Sequence, residues 1–116
     1  MDHIKNKIIV ISAGASGIGA EIAKSLSENG ASVIVGDKDE VALKRLENDH
    51  PQIRTNQVDV SNESEVLGFF EDITSHFGKI DALINNAGVA GPSAMLGDTS
   101  LDDWNKTIKV NLNGTF

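Results

Sequence analysis

Short runs of β-branched residues alternate along the chain with longer stretches in which apolar side chains return every three or four positions. Lys7 to Ser12 is a short run rich in β-branched residues that leads into a glycine-rich turn, which predicts a buried strand. From Gly17 to Asn29 the residues Ile18, Ile22 and Leu26 recur every four positions, predicting a helix that Gly30 closes. The alternation then repeats. Ser32 to Gly36 reads as a second strand, Glu40 to Asn48 as a helix with Leu43 and Leu46 inward, and Ile53 to Val58 as a third strand. A longer helix from Glu63 to Phe77 carries Val66, Phe70, Ile73 and Phe77 on one face, and Gly78 stops it before a fourth strand at Ile80 to Asn85. Strands separated by helices imply right-handed crossovers and an α/β fold, with a parallel sheet covered on both faces.

Beyond Asn85 the pattern changes. Asn86 to Thr99 is a loop of mostly small residues, long enough to be a candidate for function. Ser100 followed by Asp103 predicts a helix start, and that helix runs through Trp104 and Ile108 toward Phe116. It reaches the last residue with no further strand, as though cut inside an element.

Composition narrows the possible chemistry. The 116 residues hold no Cys and no Tyr, which removes disulfides, thiol nucleophiles, cysteine zinc sites and any phenol acid or base. Ten basic against 17 acidic residues give a net charge of -7, with the cations scattered. That field repels nucleic acid and anionic lipid. The longest strongly apolar run, Ile8 to Ile11, is far short of the roughly 20 residues that span a bilayer, and no signal-like segment opens the chain. A cytoplasmic protein with neither nucleic acid nor membrane as partner is the expectation. His3, His50 and His76 show no metal-ligand spacing, and no metal site is expected.

The turn after the first strand reads Ser12-Ala13-Gly14-Ala15-Ser16-Gly17-Ile18-Gly19. Its small residues let backbone approach a ligand, and the N–H groups that open the next helix suit a phosphate or pyrophosphate. A plain tight turn is the other reading. No Gly-Lys-Ser or Gly-Lys-Thr follows, so a Walker-type loop is disfavoured. Asp37 closes the second strand about 20 positions after Gly17, where a carboxylate can accept both hydroxyls of an adenosine ribose. It can equally turn the chain before the next helix. In the first role it repels a 2'-phosphate and favours NAD over NADP, with the neighbouring Lys38 partly offsetting that repulsion. Asp59 and Val60 follow the third strand, and Asn85-Asn86-Ala87-Gly88 ends the fourth, where ligands sit in parallel sheets. Asp59 can bond an adenine amino group, and Ala87-Gly88 lets backbone pass beneath a ribose. The two asparagines either contact ligand or tie the fourth strand to the glycine turn.

Together these residues, with Val110-Asn111-Leu112-Asn113-Gly114, resemble the short-chain dehydrogenase/reductase family over essentially all of the chain. The resemblance implies a partial Rossmann-type doubly wound sheet in strand order 3-2-1-4. It also implies NAD as cofactor. Ser16, Gly17, Ile18 and Gly19 would form the pyrophosphate side, with Ser12 and Gly14 also cofactor-binding in the same turn, Asp37 the adenosine ribose site, and Asp59 and Val60 the adenine site. Asn86, Ala87, Gly88 and Val110 would stand near the nicotinamide-side ribose. Asn111 matches the family's catalytic asparagine, which bends its helix and holds a water of a proton relay; a polar residue bonding backbone is the plainer reading. One departure stands out: Ala13 occupies a position where the family has glycine, at a cost near 1 kcal/mol if its φ is positive.

Within the family, hydride passes between nicotinamide and an alcohol or carbonyl carbon, while a later Tyr-x-x-x-Lys motif and a serine handle the proton and the substrate. None of these is in the chain, and Lys106 and Lys109 stand at the wrong place. Residues 1–116 are therefore expected to be the NAD-binding portion of such an enzyme, inactive alone, whose full-length form acts on a small alcohol or carbonyl compound and is a homo-oligomer. A non-catalytic NAD-binding or redox-sensing module is the alternative. A methyltransferase also has a glycine turn and an acid after strand two, but the Asn-Asn-Ala-Gly and Val-Asn-Leu-Asn-Gly runs argue against it.

Overall fold

A computed structural model describes residues 2–116. Four parallel strands, β1 (Ile8–Ser12), β2 (Ser32–Asp37), β3 (Arg54–Gln57) and β4 (Ala82–Ile84), form one sheet in the order β3-β2-β1-β4. Helices α1 (Gly17–Glu28), α2 (Glu40–Asp49) and α3 (Glu63–Phe77) connect them in turn. A fourth helix, α4 (Leu101–Ile108), passes without a break into a π-helical turn at Lys109–Asn113. The expected strand order is the observed one.

β1 is apolar from Ile8 to Ile11 because it is buried on both sides. Ile9 and Ile11 pack with Val33, Val35, Ala23, Leu43 and Leu46 under α1 and α2. Ile8 and Val10 pack with Ile34, Val58, Phe69 and Ile73 under α3. Such a strand shows no alternation, as parallel sheets require. Val10 lies opposite Ile34 on one side and Leu83 on the other, which fixes the register of the three central strands.

Two apolar stripes differ from the reading of periodicity. The buried face of α1 is Gly19, Ala20 and Ala23, with Ile22 and Leu26 half-buried, whereas Ile18 is 75% exposed at the start of the helix. On α3, Phe69 is more deeply buried than Phe70, because the stripe follows Val66 by three residues as well as four. Strands β3 and β4 are also shorter than expected, although Ile53 and Val58 remain buried just outside β3. Among the described residues, no helix is long and apolar enough to cross a membrane.

Candidate functional site

The carboxyl ends of all four strands converge on one edge of the sheet, and the β1–α1 turn lies across it. Three of the four α-helices open with a side-chain cap and an acidic first turn. Asp39 accepts the Ala42 N–H, Asn62 accepts the Glu65 N–H and Ser100 accepts the Asp103 N–H. α1 has neither: Ser16 makes no capping bond with its side chain, and no acid lies in the first turn. Its first intrahelical bond runs from the Ala20 N–H to the Ser16 carbonyl. The N–H groups of Gly17, Ile18 and Gly19 therefore lie at a positive dipole end with no acceptor from their own helix. Gly17 has a φ of 56°, and a Cβ there would meet nothing within 4 Å, so the turn leaves open space above these groups.

Gly19 does the opposite work. A Cβ at this position would stand 2.6 Å from both the Ala13 carbonyl oxygen and the Asn86 Nδ2, so only glycine lets α1 approach β4 this closely. The contact is held by hydrogen bonds. Asn86 Nδ2 donates to the Ala13 carbonyl at 2.9 Å, and the Ser12 hydroxyl oxygen accepts the N–H groups of Asn86 at 3.0 Å and Ala87 at 3.2 Å. Ser12 and Asn86, both expected at the cofactor, thus tie the end of β4 to the glycine turn. Gly14 is buried against Val35 and supports the same turn from beneath.

Ala13 adopts a φ of 53°, the left-handed region. An L-alanine there costs about 1–2 kcal/mol relative to its favoured conformations. Its N–H donates to the Gly36 carbonyl at 2.7 Å, so the conformation is held from both ends.

Asp37 serves the chain as well as the cleft. One carboxylate oxygen accepts the Ala15 N–H at 3.1 Å and the other accepts the Asp39 N–H at 3.0 Å. Asp37 remains half-buried and lines a cleft together with Ala13, Lys38, Val58, Asp59, Val60, Ala87, Gly88, Val89 and Val110. The structure thereby gathers Asp37, Asp59, Val60, Ala87, Gly88 and Val110 in one place. Ser16, Gly17 and Ile18 stand outside this cleft at the exposed start of α1. Val58 and Val89 were missed by sequence reading. Val58 looked like the end of a strand, and only its place just before Asp59-Val60 hinted at more.

Asp59 accepts the Ser61 hydroxyl at 2.7 Å and the Ser61 N–H at 2.9 Å. These bonds hold its carboxyl below the usual aspartate range; partial burial opposes them, and Lys38 and Lys109 assist more weakly. It is an anion in the cleft at neutral pH, able to accept from a ligand N–H.

Asn111 sits inside the π-helical turn. Its Oδ1 accepts the Val89 N–H and its Nδ2 donates to the Val89 carbonyl, both at 2.8 Å. The side-chain amide thus pairs with backbone, as the plainer reading had it, and clamps the loop after β4 onto the helix. π-helical turns are frequent at functional sites.

Comparison with known proteins agrees with this geometry. The family model for short chain dehydrogenases matches residues 7–116. The chain belongs to the short-chain dehydrogenase family. It is 37% identical over 118 residues to an uncharacterized oxidoreductase of Staphylococcus saprophyticus, covering 100% of this chain and 48% of the relative. It is 34% identical over 110 residues to an L-fucose dehydrogenase of Oryctolagus cuniculus, covering 95% and 39%. Among solved structures, a 3-ketoacyl-(acyl-carrier-protein) reductase from Brucella melitensis complexed with NADH superposes with a TM-score of 0.90 at 27% identity, covering 97% of this chain and 47% of that one. The chain spans about half the length, or less, of these relatives.

Proposed function

We propose that residues 1–116 form the cofactor-holding portion of an NAD-dependent short-chain oxidoreductase that interconverts alcohols and carbonyl compounds. The observation that carries this reading is the half-buried Asp37 carboxylate, facing one cleft with Asp59, Val60, Gly88 and Val110 beside an uncapped helix start. The residues fit a dinucleotide. The first turn of α1 carries no acid to repel a pyrophosphate, and the space above Gly17 is open.

In this reading Ser16 to Gly19 hold the pyrophosphate through backbone N–H groups. Asp37 keeps lone pairs for the hydroxyls of the adenosine ribose, and Asp59 accepts an adenine amino N–H beside Val60, with Val110 toward the second ribose. Ala87 and Gly88 lie under the second ribose, and Asn111, through Val89, fixes the loop that follows. Bound there, the nicotinamide accepts or donates hydride. Asp37 disfavours a 2'-phosphate by charge, so NAD is the expected form, with Lys38 in the same cleft as the opposing influence.

The 116 residues contain no tyrosine. Proton transfer by a positioned acid contributes about a hundredfold to ten-thousandfold to such reactions. We therefore expect the chain alone to bind cofactor without turnover, the substrate-shaping and proton-handling groups belonging to a full-length enzyme. Titration of the chain with NADH and NADPH, followed by cofactor fluorescence, tests the reading. Saturable binding that prefers NADH and disappears in Asp37→Ala supports it; binding unaffected by that substitution overturns it.

A further inference from the structure

We propose that Ala13 acts as a methyl spacer in this cleft, holding the adenosine end of the cofactor away from the β1–α1 turn and keeping the chain's grip on it loose. The inference rests on the cofactor reading above. Among the described residues, only Asn6 and Ala13 combine a side chain with a positive φ, at 63° and 53°. Asparagine tolerates that region through its short polar side chain, whereas alanine has no such compensation. A strained backbone persists when its surroundings over-determine it, and such residues cluster at ligand clamps.

The surroundings of Ala13 are backbone groups and one amide. Its N–H is donated to Gly36 and its carbonyl accepts from Asn86, so both polar groups turn into the protein. Ala13 is nevertheless half-buried and lines the cleft with Asp37, Asp59, Gly88 and Val110. With its N–H and carbonyl both engaged, the Cα–Cβ edge is what Ala13 has left to offer the cleft. Glycine would keep both hydrogen bonds, since both use backbone atoms, and would relieve the strain. Neither hydrogen bond of Ala13 uses the methyl, and in this proposal the methyl takes up space at the point where a ligand would approach the turn.

Ala13→Gly tests this, because glycine cannot disfavour a φ of 53°. The variant and the parent chain are titrated with NADH and with ADP-ribose, which lacks the nicotinamide, and both are melted. The expected result is tighter binding of both probes, by roughly tenfold, the low end of the effect of one methyl group in a pocket, with a melting midpoint raised by about 4 °C. A raised midpoint with unchanged or weaker affinity, in a parent chain whose binding depends on Asp37, overturns the spacer while leaving the cofactor reading intact. Failure of both proteins to bind either probe at millimolar concentration overturns the two together.

Discussion

One carboxylate oxygen of Asp37 accepts the Ala15 N–H at 3.1 Å, so the residue that closes β2 also holds the turn that follows β1. Charge and the Ala15 hydrogen bond are separable at this position. Asp37→Asn keeps an oxygen acceptor for Ala15 and removes the charge. We expect its stability to stay within about 1 kcal/mol of the parent, with discrimination between NADH and NADPH reduced at least roughly tenfold. Asp37→Ala removes the acceptors for both the Ala15 and Asp39 N–H groups as well, and is expected to lose binding and about 1–2 kcal/mol of stability. Thermal melts alongside the two titrations check both halves.

Gly19 supplies a second test. In an ordinary helix, replacing glycine by alanine stabilises by about 1 kcal/mol. Here the new Cβ would collide with the Ala13 carbonyl and the Asn86 amide, so Gly19→Ala is expected to destabilise by about 1–3 kcal/mol. Urea denaturation reads the sign directly.

Asn111 is expected to act on the loop more than on the core. Its two bonds to Val89 are the described link between the π-helical turn and the segment after β4. Asn111→Ala should leave exchange of the buried β1 amides nearly unchanged and speed exchange of the Val89 amide by about tenfold or more. Equal effects at both places would show that the clamp supports the whole fold.

The glycine turn and the grouping of Asp37, Asp59 and Ala87-Gly88 were legible in the sequence from chain direction and the carboxyl ends of parallel strands, and the strand order from the family resemblance. Other features were not. Ile18 repeats with Ile22 and Leu26, yet it is exposed, because the buried face of the first turns of α1 is taken by Gly19, Ala20 and Ala23. Ser12 and Asn86 have the right chemistry for a ligand. The tie of Asn86 to the glycine turn was one of its two sequence readings and is the one observed, whereas the Ser12 hydroxyl as acceptor for the Asn86 and Ala87 N–H groups was not legible. The positive φ of Ala13 is likewise imposed from outside, by Gly36 and Asn86.

Acid should weaken the fold through two aspartates. Hydrogen bonds from the Ser61 hydroxyl and N–H hold the Asp59 carboxyl below its ordinary value of 3.8. At Asp81 the Ile8 N–H does the same at 2.8 Å, assisted by Lys79 and opposed by slight desolvation. Both folded-state values lie below the unfolded ones, so their stabilisation is fully present above about pH 4 and is lost as pH falls through the depressed values. Urea midpoints measured from neutral pH down to about pH 2 should be flat and then decline. Asp81→Asn, which keeps an acceptor for Ile8 without the titrating group, should make that decline shallower.

The central claim is that one cleft and one helix start in this chain hold NAD. Its most direct test is titration of the isotope-labelled chain with NADH, followed by amide chemical shifts. We expect saturable shifts concentrated at Ser16 to Gly19, Asp37, Asp59-Val60 and Ala87-Gly88, with weaker response to NADPH. Absence of saturable shifts at millimolar NADH, or shifts centred away from these residues, would contradict it.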